Sequence, residues 1–474
     1  MISFFACLAL LIVGYLVYGK FVESVFKPDD RPTPAITMED GTDYVPMKSW
    51  RVFLVQLLNI AGLGPIFGAI LGAMWGPVVF LWITFGSIFA GAVHDYLSGM
   101  ISIRHKGTSI SEIVGTYLGG GMKQVMRVFS VVLLVLVGVS FSTGPANLLA
   151  MLTPQVLDAK FWLVVVIVYY FIATFVPIDK VIGKIYPLFG ICLIVMALGV
   201  GGGLIVKGYT IPEISLANLH PDQTPIWPMM FITVACGAIS GFHATQSPMM
   251  ARCMTSEKLG RPIFYGAMIS EGVIALIWAA AGVAFYETTG GLQVALAELG
   301  GQSGVVYDIC FSLLGPVGAV IAMVGVIACP ISSADTAYRS ARLTLADWFK
   351  MDQKPMKNRL IITVPMLAIG AFLTQIDVQI IWRYFSWSNQ TLAMIALWAG
   401  GVYLFKNGLN YFIAIVPATF MSAVSCTYIL MADEGFKLST TISYPIGIIF
   451  AAICLGIFVF TCPLRAKKQE SAGA

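Results

Sequence analysis

Apolar residues run in long blocks along this chain, and polar residues are confined mostly to the gaps between them. A membrane's hydrocarbon core takes about 20 helical residues to cross. Blocks of that order fall near 2–20, 50–75, 77–100, 124–150, 161–177, 186–206, 228–250, 262–286, 309–332, 359–376, 379–404, 408–431 and 442–462. The pattern predicts an all-α polytopic membrane protein with thirteen transmembrane helices. Two blocks are interrupted near their middle, by Asn59-Ile60-Ala61-Gly62-Leu63-Gly64-Pro65 and by Gly237-Ala238-Ile239-Ser240-Gly241-Phe242-His243. Proline removes a backbone donor and glycine costs about 1 kcal/mol in a helix interior, so both helices are expected to break at membrane depth. Freed backbone groups are tolerated there only against protein or a water-lined cavity. The interrupted blocks are the second and the seventh, an odd offset, so their helices run in opposite directions. This is the footprint of a five-plus-five inverted repeat with a solute site between two discontinuous helices. The expected organisation is a first helix and linker over 1–49, repeats over 50–206 and 228–404, and two further helices with a short basic tail over 408–474.

Composition narrows the class. Of 474 residues, 58% are hydrophobic and only 11% are charged, against about 25% charged in a soluble domain, so no sizeable soluble domain fits. The net charge of +4 matters less than where Lys and Arg fall, because connectors on the cytoplasmic side are enriched in them. With the N-terminus outside, the inner side holds 24 of the 28: Lys20, Lys27, Arg31, Lys48, Arg51, Arg104, Lys106, Lys123, Arg127, Lys180, Lys184, Arg252, Lys258, Arg261, Arg339, Arg342, Lys350, Lys354, Lys357, Arg359, Lys406, Arg465, Lys467 and Lys468. The outer side holds Lys160, Lys207 and Lys437, and Arg383 falls inside a span. The separation agrees with thirteen spans, an outer N-terminus and a cytoplasmic C-terminus. The first block lacks a positive leader region and a cleavage site, so it is expected to remain as the first span. Nine cysteines lie in or beside apolar runs without paired spacing, and read as small buried hydrophobes, neither disulfides nor metal ligands. The lipid bilayer is the expected partner and nucleic acid is not; no organic cofactor is expected, and the oligomeric state is open.

Ionisable groups inside apolar segments are costly unless paired or hydrated, which makes each a candidate for function. Arg383 sits in Trp382-Arg383-Tyr384-Phe385-Ser386-Trp387-Ser388-Asn389-Gln390, either binding a carboxylate bidentately or snorkelling to the outer interface. Glu271 lies mid-span with no charge close in sequence, and is either a proton carrier or a hydrogen-bonded structural acid. His243, in the second break, titrates, binds solute or serves as a satisfied core histidine. His94 and Asp95 end the third block as a gate or as an interfacial cap. Ser332, Ser333 and Asp335 close the ninth; facing the carbonyls of a broken helix they would cage a sodium ion, while Asp335 and Arg339 equally form an ordinary i,i+4 pair. Gly62, Gly64, Gly237, Ser240 and Gly241, with Asn59, Asn389 and Gln390, are the candidate solute contacts. Gly64, Gly68, Gly72 and Gly76 form a stripe that reads as close helix packing.

An embedded enzyme finds no support, since the four histidines sit in no HExxH motif and neither GxSxG nor GxxxxGKS occurs. An ion channel or a membrane nutrient-sensing module fits the composition, but two interrupted helices in opposed segments favour alternating access over a continuous pore.

Four stretches carry a family resemblance: IAGLGPIFGAILGAMWGP (60–77), GAVHDYLSGMISIRHKGTSISEIVG (91–115), FITVACGAISGFHATQSPMMARCMTSE (231–257) and SSADTAYRSARLTLADW (332–348). They are similar to the carbon starvation protein A family of bacterial inner-membrane transporters. The resemblance implies uptake of peptides during carbon starvation, or of pyruvate in related members, driven by H+ or Na+. It also implies a LeuT/APC-like fold, and points to Gly62, Gly64, Pro65, Gly237, Ser240, Gly241, His243, Ser332, Ser333 and Asp335. This chain has Gln56 where some members carry a histidine, which passes proton coupling to Glu271 or His243 and adds weight to sodium.

Overall fold

Apolar stretches as long as these leave the backbone no partner but itself, and helix is the solution. The computed structural model describes residues 1–41, 43–175, 186–353 and 355–472, and the described residues contain no strand. Lys180, Lys184 and Lys354 of the inner charge set, and residues 176–177 of the fifth block, lie outside the described residues, as do the side chains of Arg465, Lys467 and Lys468. Nine helices among the described residues are long and apolar enough to cross a membrane, and Ser49–Ile60 with Gly64–Trp75, bent by 53°, makes a tenth. The remaining three expected segments are helical but do not meet that measure. Ala159–Ala173 is short, the seventh block is interrupted, and Val378–Lys406 carries the polar run around Arg383. Val79–Arg104 and Glu257–Phe285 are enclosed by other helices, whereas Ile2–Phe26, Met356–Leu373 and Thr440–Cys462 are peripheral.

Two expected boundaries are corrected. The third span does not end at His94 and Asp95 but continues to Arg104, because Ser98, Ser102 and Arg104 find protein partners or burial in place of lipid. The ninth does not close at Ser332–Asp335 but runs within Gln302–Phe349. Its kink lies far earlier, at Gly315, where φ is +67°.

Both breaks form where the sequence places them. Ser49–Ile60 stops before Ala61-Gly62-Leu63, and the chain resumes as a π turn, Gly64–Gly68, with Pro65 in its first turn, where a missing N–H costs nothing. In the seventh block Phe231–Thr233 gives way to irregular backbone, Gly237 takes φ +91°, and Gly241–Ala251 restarts the helix. The two breaks pack directly on each other. A Cβ on Gly64 would lie 2.1 Å from the Cβ of Cys236, one on Gly68 3.2 Å from the Thr233 carbonyl, and one on Gly72 2.4 Å from Val234. The stripe therefore acts through three of its glycines; Gly76 turns away at φ +78° against Leu219.

A polar knot ties several helix ends together. Arg104 Nε and Nη2 donate to the two Glu257 oxygens at 3.1 Å each, Nη1 donates to the Tyr403 hydroxyl at 3.0 Å, and Nη2 also reaches the Lys27 carbonyl. Arg31 approaches the same carboxylate at 3.6 Å while it binds Asp29 and holds that carboxyl well below its usual range. Glu257 is fully buried. Glu257→Gln keeps the shape and removes the charge, and is expected to lower stability by about 2 kcal/mol. Thermal unfolding in detergent reads this, and an unchanged midpoint would mean the knot contributes nothing.

Candidate functional site

The second break delivers His243 to the first turn of Gly241–Ala251, where it meets two enclosed helices. His243 Nδ1 lies 2.8 Å from Asp95 Oδ2, and the other Asp95 oxygen lies 2.8 Å from His94 Nδ1. With Asp95 as carboxylate, both rings donate to it through Nδ1–H. On its far side His243 Nε2 stands 3.3 Å from Glu271 Oε2, but neither that nitrogen nor either Glu271 oxygen has an aligned hydrogen-bond partner among the described residues. His243, Asp95 and Glu271 are fully buried and His94 is nearly so. An acid–imidazole–acid chain thus crosses the protein interior beside the breaks. Cys236 completes the group, with its sulfur, His243 and Glu271 offering ligand atoms within 4.8 Å of one another.

The helix N-terminus at Gly241 is already capped. Asn389 Oδ1 accepts from Phe242 N–H at 2.7 Å and from the Ser240 hydroxyl at 3.1 Å, while Gln390 donates to the Phe231 carbonyl. These two amides hold the broken helix from the Val378–Lys406 side, and Ser87 holds it from another by donating to the Gly237 carbonyl at 2.8 Å. Gly62 faces the Phe141 ring, which a Cβ would meet at 2.2 Å. Asn59 and Gln56 are fully buried with amide atoms that have no partner among the described residues.

The structure places other expected residues apart. Arg383 is half exposed and pairs with the buried side chain of Glu434 at 3.2 Å. Ser333 donates to the Leu58 carbonyl at 3.0 Å, and Cys329 reaches the Ala61 carbonyl at 2.8 Å. Hydroxyl and broken-helix carbonyls do meet, as the cage requires, while Ser332 bonds back to Cys329 O within its own helix. Asp335 is not with them. It lines a small cavity with Tyr170, Arg339, Arg342 and Thr363. His94 and Asp95 are corrected from the end of a span to the buried centre.

Sequence reasoning missed the aromatic column above this centre. Phe67, Trp382, Phe385, Phe141 and Phe242 follow one another at ring-centroid distances of 5.9, 5.2, 6.0 and 6.3 Å. On the far side of Phe67 and Trp382 lies a cavity of about 20 Å³, lined also by Ser140, Thr143, Asn147 and Gln302, room for about one water. The Ser140 hydroxyl and Trp382 Nε1 that belong to its lining have no partner among the described residues. Spacing gives no hint of the column, because its rings come from four helices. Phe141→Leu shortens the seal. Cys236 is expected to be labelled about tenfold faster by a membrane-impermeant thiol reagent, in a chain whose other eight cysteines are serine, a barrier change of about 1.4 kcal/mol. Equal labelling rates would remove the column from the pathway.

Interrupted helices crossing at a buried ionisable centre define a multi-pass membrane protein of transporter architecture. A solved manganese transporter of Eremococcus coleocola, in a mutant form, matches with a TM-score of 0.58 over 89% of this chain and 94% of that one, at 14% identity, a likeness of fold. The model of the family described as carbon starvation protein CstA matches residues 1–156, 150–302 and 284–428, and the chain belongs to that family. Among its relatives, the peptide transporter CstA of Bacillus subtilis is 26% identical over 85% of this chain and 84% of its own. The pyruvate/proton symporter BtsT of Escherichia coli is 25% identical over 57% of this chain and 47% of its own. An uncharacterized membrane protein of Haemophilus influenzae is 44% identical over 63% of this chain and 94% of its own.

Proposed function

We propose that this protein is a secondary active transporter of the bacterial inner membrane that imports peptides or a small carboxylate such as pyruvate, driven by protons, in the response to carbon starvation. The observation that carries the reading is the buried Asp95–His243–Glu271 chain, set on the restarting half of a broken helix and on two helices packed around it. A proton held between His243 and Glu271 changes the charge at the point where the two breaks meet, so its arrival and departure bias the rocking of one helix group against the other. Thirteen spans, an outer N-terminus, a cytoplasmic C-terminus and a five-plus-five LeuT/APC-like repeat belong to the same reading. They rest on the charge separation and the five-block offset. Solute would enter past the aromatic column, and the unpartnered amides of Gln56 and Asn59 are the polar groups we assign to meet it. Arg383 has no part in the site. Sodium is the second reading, favoured by the meeting of Ser333 with the Leu58 carbonyl.

Proteoliposomes loaded against separate proton and sodium gradients, and offered labelled pyruvate or a labelled dipeptide, test this. Accumulation with the proton gradient alone is expected. Accumulation with sodium alone transfers coupling to Ser332 and Ser333, and no accumulation of either solute under any gradient overturns the transporter reading. A conductance that never saturates would favour the channel alternative.

A further inference from the structure

We propose that Cys236, His243 and Glu271 form a binding site for a soft divalent transition metal of the zinc class, which arrests the protein by bridging the second broken helix to the Glu257–Phe285 helix. The three donors converge from the irregular stretch before Gly241, from the first turn after it and from the enclosed helix, with ligand atoms within 4.8 Å of one another. The Cys236 sulfur makes only weak contacts, 3.4 Å each from the Ser240 hydroxyl and Asn389 Nδ2, which a metal would displace. His243 Nε2 and both Glu271 oxygens are fully buried with no aligned hydrogen-bond partner among the described residues, and Nε2 faces Oε2 at 3.3 Å. The rest of the His243 ring is already arranged for a metal, because Nδ1–H donates to Asp95 at 2.8 Å. That leaves the Nε2 lone pair pointing at Glu271 and fixes the ring, the carboxylate–histidine–metal arrangement in which an outer carboxylate orients the ligand and raises its basicity.

The donor set selects the ion. One sulfur, one imidazole nitrogen and one carboxylate suit tetrahedral zinc, with a fourth position open. Calcium and magnesium need six or more oxygens, and the trio supplies a single carboxylate. Thiolate and carboxylate together carry two negative charges, which a divalent cation neutralises in a setting where unpaired charge is costly. Binding releases the thiol proton to the buffer and keeps His243 neutral. The metal and the coupling proton therefore exclude one another. Because Cys236 packs on Gly64, the bridge also pins the crossing of the two breaks.

Cobalt(II), a spectroscopic substitute for zinc, tests the site on full-length protein in detergent. The expected result is one cobalt per chain with a thiolate-to-cobalt charge-transfer band that zinc displaces. Cys236→Ser should remove the band, His243→Gln and Glu271→Gln should weaken binding by about tenfold or more, and Cys253→Ser should leave the titration unchanged. Cys236→Ala repeats the test should serine disturb the packing on Gly64. No band, or a band that persists in both Cys236 variants, overturns the proposal. Protein that accumulates solute but binds no cobalt refutes the metal site alone, protein that still accumulates solute with the site filled refutes the arrest, and protein that binds cobalt but moves no solute even after a chelator has stripped the metal refutes the transporter reading alone.

Discussion

Glu271→Gln is expected to reduce proton-driven accumulation by about a hundredfold or more, the scale of losing a positioned proton-transfer group, while exchange of internal for external solute continues. Glutamine fills the same volume and still accepts a hydrogen bond, so the packing around the fully buried side chain survives. What disappears is the capacity to take a proton 3.3 Å from His243 Nε2. Exchange needs the helices to move with solute bound but needs no net proton transfer, and this is why the two assays should separate. Asp95→Asn should act in the same direction, because an amide can place a donor against the His243 Nδ1–H in place of an acceptor. Retained accumulation in Glu271→Gln would sink the assignment of the coupling proton. Loss of exchange together with accumulation would give Glu271 a structural role instead.

The breaks were legible because Gly and Pro act locally. Asn59–Pro65 and Gly237–His243 state their own inability to stay helical, and the stripe at Gly64, Gly68 and Gly72 states the close approach that follows. The buried centre was only half legible. Glu271 and His243 stand out as ionisable groups in apolar surroundings, yet Asp95, which lies 2.8 Å from His243, reads as peripheral in sequence because apolarity fades after residue 100 while the helix does not stop there. Long-range partners leave no periodic trace. Asn389 stands in a run whose amides suggest solute contact, and its job of capping the Gly241 helix becomes visible only when Val378–Lys406 is laid beside the break. Cys236 looked like any small apolar residue for the same reason. Arg383 is ambiguous in sequence, since a guanidinium about six residues into a span reaches either a pocket or the surface, and its partner Glu434, on a connector 51 positions away, leaves no periodic trace.

Gly241→Ala is expected to destabilise the protein by about 3 kcal/mol or more, at the upper end of the cost of overpacking a core. A methyl group there would lie 2.3 Å from the Asn389 carbonyl oxygen, 2.6 Å from the Ala393 nitrogen and 2.7 Å from the Leu392 Cβ. Two of these three are backbone atoms of a long helix, which cannot yield as a side chain can. Relief would require Gly241–Ala251 to move away from Val378–Lys406, which would also stretch the 2.7 Å bond from Phe242 N–H to Asn389 and uncap the helix that carries His243. Gly202→Ala is the matched control. It lies in the Tyr186–Val206 helix with open space where the methyl would go, so alanine's better helix propensity should leave stability unchanged or raise it by up to about 1 kcal/mol. Thermal unfolding of the two variants in the same detergent compares them directly. Equal midpoints would mean that the second broken helix does not need this close approach, and that the geometry holding His243 between Asp95 and Glu271 is set by something other than its packing on Asn389.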